Sequence, residues 1–238
     1  MKLLCSLLTA YCLLVSPAWA AFPQVADVSS GNVGAQTNIT VTLPATITAG
    51  QLLVVTIGQN GAGSYDWSTA SGWAEIYDQS TTDGCHLTVG YKVAVGDEDG
   101  TVITVTGTAD RSQFIAYAIS GHDSGQAPQA SAEASGVAGP ADPGSLTPTG
   151  GAKDYLWLAA ACIDGTNNIT GAPANYSNFL FVDDTSEGLA IARRELNAAS
   201  EDPGAFADGG AVAEWNAVTI AVHPAAAAAA TRRRAVMY

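Results

Sequence analysis

A chain of 238 residues is long enough to bury a full hydrophobic core, as one large domain or two small ones. With 47% hydrophobic and only 13% charged residues it has the profile of a compact protein with short turns, which excludes a disordered chain. The formal charge of −13 understates the acidity of the body, because Arg232, Arg233 and Arg234 supply three of the nine basic residues; such a surface repels nucleic acid and anionic membranes.

Residues 1–20 have the layout of a secretory signal: Lys2, the apolar run LLCSLLTAYCLLV, then Ser16, Pro17 and the small-residue pattern Ala18-Trp19-Ala20 before a cleavage point. The run is too short for a stable membrane span. The competing reading is an uncleaved apolar arm held against a partner.

Beyond it, period-two alternation and β-branched runs predict strands at 25–30 and 37–43. Leu52–Ile57 is apolar without a break, the pattern of a central strand covered on both faces. Strands at 73–77 and 87–95 follow a polar loop, the phrase GDEDG (96–100) reads as a tight turn, and strands at 101–106 and 113–120 close the unit. After an Ala/Ser/Gly/Pro-rich stretch, in which 142–148 is a degenerate counterpart of the early strands, further strands are predicted at 155–162, 176–182, 189–196, near 206–207 and at 214–222. Six alanines and TRRRAVMY form a tail over 225–238 whose arginines suit an acidic neighbour.

The chain repeats itself. Leu52 and Tyr155, and likewise Trp73 and Tyr176, stand 103 residues apart, while Gly100 and Gly204 stand 104 apart. Halves of about 22–122 and 127–224 are each small for an independent core, so residues 21–224 are expected to form one all-β, antiparallel β-sandwich, jelly-roll-like and built by internal duplication. Two sandwiches in tandem are the alternative.

Chemistry is sparse. Asp97, Glu98 and Asp99 cluster in one turn, with Glu201 and Asp202 at the matching place, and several carboxylate oxygens in a flexible loop are what calcium requires. The spacing is not that of an EF-hand, and a duplicated hairpin produces the same recurrence. Tyr65 and Trp67 lie in the first long loop without counterparts in the second half, and their rings could stack on a sugar; Trp73, matched by Tyr176, reads as packing. With the leader removed, Cys85 and Cys162 remain, one per half, open to pairing as a disulfide in an oxidising compartment or to burial as free thiols. His86, His122 and His223 are scattered, no GxSxG stands near them, and no phosphate-binding glycine motif occurs, so no enzyme is expected.

The phrases ITAGQLLVVTIG, SGWAEIYD, YKVAVGDEDGTVITVTG, GSLTPTGGAKDYLWLAAACIDG, ARRELNAASEDPGAF and EWNAVTIAVHP together resemble a family of β-sandwich proteins encoded in tailed-bacteriophage and prophage genomes. The resemblance covers about residues 25–224 and carries no catalytic residue. It implies a non-enzymatic virion structural or decoration protein on the particle exterior, in contact with other virion proteins or copies of itself. The secretory leader departs from this, because tailed-phage virions assemble in the cytoplasm. The alternative expectation is therefore a secreted bacterial adhesin or carbohydrate-binding module that meets host-surface glycans through Tyr65 and Trp67.

Overall fold

The computed structural model describes residues 21–81, 84–165, 169–184, 186–210 and 214–226. The leader and Arg232, Arg233 and Arg234 lie outside the described residues, as do the contacts expected of them. Among the described residues the first half forms β1 (Gln24–Thr42), β2 (Leu52–Asn60), β3 (Ala74–Ser80), β4 (Cys85–Val93) and β5 (Val102–Ser120). The second forms β6 (Gln129–Ala130), β7 (Ala134–Gly136), β8 (Lys153–Asp164), β9 (Ile169–Gly171), β10 (Ser177–Asp183), β11 (Glu187–Ala198), β12 (Ala207–Asp208) and β13 (Trp215–Val222). One 3-10 turn, Trp67–Thr69, is the only helical piece described.

The protein is all-β and its strands pair antiparallel. The first sheet has the order β1-β5-β2-β4-β3 and the second β10-β11-β8-β13-β6, with β7 also beside β13; β9 and β12 make a small separate pair. Read from its other end, the second sheet repeats the first, with β13, β8, β11 and β10 in the places of β5, β2, β4 and β3. Each sheet comes from one half of the chain, because every strand finds its partners within its own half. The expected jelly-roll path, in which the chain alternates between facing sheets, is not the connection these sheets make.

The two sheets pack face to face. Leu52, Val54, Leu87, Val89, Ile115 and Tyr117 of the first meet Leu156, Leu158, Leu189, Ile191, Val218 and Ile220 of the second in one shared core. The outer face of each sheet is covered as well. Leu53, Val55 and Ile57 lie beneath Ile39, Val41, Val105, Trp67 and Trp73; Tyr155, Trp157 and Ile163 lie, with Trp215 of the same sheet, beneath Tyr176, Phe206 and Leu146. Because side chains alternate faces along a strand, this arrangement fixes how the halves correspond. Leu52, paired with Val93 and Ile119, matches Leu156, paired with Glu195 and Val222. The sequence match of Leu52 with Tyr155 is one residue out of step, since Tyr155 faces the outer core.

Two pairs of predicted strands merge. The segments 31–36 and 107–112 separate predicted strands, yet Asn32 pairs with Gln113, Val33 with Ser112 and Gln36 with Asp110, which makes β1 and β5 continuous. Register shifts at Val33/Gln36 and Gln36/Asn38 mark bulges there, and bulges bend a ribbon. Residues 112–119 of β5 stay in plane against β2, while Ile39, Val41 and Val105 on the far side of the bulges cover its outer face.

Polar contacts also join the sheets. Tyr77 Oη donates to Asn216 Oδ1 at 2.5 Å, and Asn216 Nδ2 donates to the Gln79 carbonyl at 3.2 Å, with Tyr77 and Asn216 both buried. Replacing Tyr77 with Phe leaves the Asn216 oxygen without that donor. Chemical denaturation of Tyr77→Phe should show a loss of about 1–3 kcal/mol with unchanged far-UV dichroism.

Candidate functional site

The sequence candidates divide sharply once placed. Tyr65 and Trp67 are only 6% and 3% exposed. The Trp67 ring lies 5.6 Å from that of Trp73, and its Nε1 donates to Thr88 Oγ1 at 2.9 Å. Gly90 makes the slot: a Cβ there would lie 2.4 Å from the indole. Tyr65 packs edge-on against His86 at 4.7 Å, and burial raises its phenol well above its ordinary range. Neither ring presents a face to a sugar, so the expected stacking platform is corrected to core packing. Trp73 and Tyr176 lie in corresponding outer cores, as a repeated aromatic should.

The acidic turns are structural fittings too. Glu98 is buried at the turn after β4, where its carboxylate accepts from the N–H groups of Val95 at 3.0 Å and Gly96 at 2.8 Å and pairs with Lys92 Nζ at 3.0 Å. Asp99 accepts from the Ile47 amide, and Asp97 is exposed. In the second half Glu201, also buried, pairs with Arg194 at 2.8 Å. Gly100 and Gly204 close the two turns at φ 60° and 70°, a conformation that favours glycine. The calcium reading of Asp97, Glu98 and Asp99 loses its central ligand, since Glu98 already faces backbone donors and a lysine.

The histidines stay dispersed in use. His86 Nε2 lies 2.5 Å from Asp78 Oδ1 beneath the surface, His223 packs edge-on to Tyr155, and His122 bridges to Pro224 at the end of the sheets.

Cys85 and Cys162 are both free and both buried. The facing sheets bring their sulfurs together with the Glu187 carboxylate, all within 4.8 Å of one another. Burial raises both thiols, and burial followed by the neighbouring Cys162 pushes the Glu187 carboxyl up to about 11. Glu187 escapes sequence reasoning because it opens a strand at a turn, where an acid is expected to be solvated.

A second unanticipated feature is open to solvent. At the seam where β1 meets β10 and β11, a cleft of about 400 Å³ is lined by Gln24, Asn175, Ser177, Asn178, Arg193 and Glu195. A hollow sharing Val25, Asn178 and Arg193 extends it past Asp27, Tyr117 and Phe179. Gln24 Nε2 donates across the seam to Glu195 Oε1 at 2.8 Å. Asn175 and Asn178, at φ 67° and 51°, are the two non-glycine residues in the left-handed region among those described. Such strain concentrates at binding sites, and here it accompanies the bulge between Ser177 and Leu180. Lys92, Arg111 and Arg194 have carboxylate partners, whereas Arg193 makes no ion pair among the described residues.

No family model, curated protein or solved structure matches the chain.

The Glu98 turn has a pH signature. Burial alone would raise its carboxyl, but the Val95 and Gly96 amides and the Lys92 ammonium outweigh burial and hold it at about 2, below its ordinary 4.5. A depressed folded-state value contributes stability above about pH 4.5 that is lost as the pH falls towards about 2. Glu98→Gln should be less stable at pH 7 and should lose that part of the acid dependence, measured as denaturation midpoints from pH 7 to pH 2.

Proposed function

We propose that this chain is a non-enzymatic structural module displayed on the exterior of a phage-type particle. The observation that carries the reading is the matched use of chemically capable residues in both halves. Lys92–Glu98 and Arg194–Glu201 brace equivalent turns, and Trp73 and Tyr176 fill equivalent outer cores. A duplicated frame of this kind maintains shape and offers surface. The acidic body suits an outward position away from nucleic acid, and the resemblance of its sequence phrases to those of virion-associated sandwiches is the ground for choosing a phage-type particle. No described helix is long and apolar enough to cross a membrane. Particles purified from the native producer should contain the chain at a fixed ratio to the major shell protein, measured by quantitative mass spectrometry. Recovery solely as free extracellular protein beginning at Ala21 would overturn the reading.

One observation favours the second reading, a surface adhesin or carbohydrate-binding module, with its site moved from the Tyr65 loop to the seam. Amide and hydroxyl groups of Asn175, Ser177 and Asn178 line the cleft beside the unpaired Arg193, and the half-buried Phe179 borders the hollow. Such groups hydrogen-bond sugar hydroxyls, and a guanidinium adds selectivity for a sugar carboxylate. On a glycan array, Arg193→Ala should lower retention tenfold or more while leaving the fold intact. Retention indifferent to that change, or none by the native protein, would remove the seam as a sugar site.

A further inference from the structure

The end of the shared core where β4 and β11 begin holds a group of atoms that hydrophobic packing does not explain. Cys85 projects from β4 of the first sheet, and Cys162 and Glu187 project from β8 and β11 of the second. The cysteines are fully buried and Glu187 is 1% exposed. Cys162 Sγ stands 3.5 Å from Glu187 Oε1 and 3.7 Å from the Gln59 carbonyl oxygen. The second carboxylate oxygen, Oε2, is buried with no hydrogen-bond partner among the described residues. Gly58 keeps the neighbourhood open, since a Cβ there would sit 3.2 Å from Cys162 Sγ.

Three states of this cluster can be weighed. Two free thiols leave Glu187 Oε2 buried and unpartnered, which costs about 1–3 kcal/mol. A disulfide is worse for the carboxyl, because joining the sulfurs removes the S–H that Cys162 directs to Oε1. A cation among the three gives each residue a ligand bond: two thiolates and one carboxylate oxygen face one divalent charge. The dimensions agree. Tetrahedral bonds of about 2.3 Å to sulfur and about 2.0 Å to oxygen place S and O about 3.5 Å apart and the two sulfurs about 3.8 Å apart. The first separation is the one found between Cys162 and Glu187, and the two sulfurs lie within 4.8 Å of each other.

We propose that Cys85, Cys162 and Glu187 bind one thiolate-preferring, closed-shell divalent cation of the zinc class, with the Gln59 carbonyl as the group placed to complete the set. The site joins ligands from both sheets, so the ion acts as a staple between the two halves. On binding, the proton of each thiol and any proton on the carboxyl pass to solvent, and no electron is transferred. Because the ligands are closed off, the ion enters while the chain folds.

The test refolds the full chain from denaturant under a thiol reductant, with zinc or with a chelator, followed by exhaustive dialysis. The expected result is one zinc per chain by elemental mass spectrometry and a melting temperature at least about 5 °C above that of the chelator-refolded protein. Cadmium in place of zinc should give the ultraviolet thiolate charge-transfer band. Cys85→Ser and Cys162→Ser should abolish retention, and Glu187→Gln should weaken it tenfold or more. If a variant fails to fold, the ion count and cadmium band of the unmodified chain decide alone. Refolded protein that retains no ion and has both thiols open to alkylation on unfolding overturns the proposal. A Cys85–Cys162 disulfide in the native protein, identified by non-reducing peptide mapping, overturns it equally.

Discussion

Each sheet in this protein has two apolar faces and must cover both. β2 shows the demand most plainly: Leu52 and Val54 face the second sheet while Leu53, Val55 and Ile57 face the opposite way. β8 repeats it, with Leu156 and Leu158 inward and Tyr155 and Trp157 outward. Stacking the sheets satisfies one face of each. The other face recruits whatever chain is at hand, the bent ends of β1 and β5 in the first half and the segments around Leu146 and Phe206 in the second. The large aromatics enter where glycine makes room: Trp67 lies over Gly90, Phe181 over Gly188 and Trp215 over Gly136.

That demand organises the polar chemistry as well. Loops that cover a sheet cannot also be free to meet a ligand, which is why Tyr65 and Trp67 belong to the outer core. The turns that direct covering segments back over the sheet need their amides satisfied, and Glu98 and Asp99 do this in the first half. Freedom to interact remains where the two sheets meet at an edge. The cleft beside Arg193 is such a place, with a polar lining and a locally strained backbone.

Between the sheets the requirement is different. Most of the shared core is aliphatic and would tolerate small slips of one sheet over the other. Directional contacts at Tyr77 and Asn216 resist such slips, and the group formed by Cys85, Cys162 and Glu187 lies in the same layer. Buried polar groups that must find specific partners penalise every alternative register.

Much of the frame was legible along the chain. Alternation and apolar runs located nearly every long strand, because local periodicity and turn chemistry act over a few residues. Other features depended on what came to lie opposite. The segments 31–36 and 107–112 carry no clear strand pattern until each becomes the other's pairing partner. Tyr65 and Trp67 look available until Gly90 opens a slot for the indole. Cys85 and Glu187 are 102 residues apart and acquire a relationship only across the stacked sheets. The sequence by itself determined the strands, the repeat and the acidity, all of which follow from short-range pattern and composition. Only the tertiary structure decided which aromatic was buried, which described arginine lacks an ion pair among the described residues and which thiols met, because those outcomes depend on the packing distance between sheets and on the face each side chain takes within them.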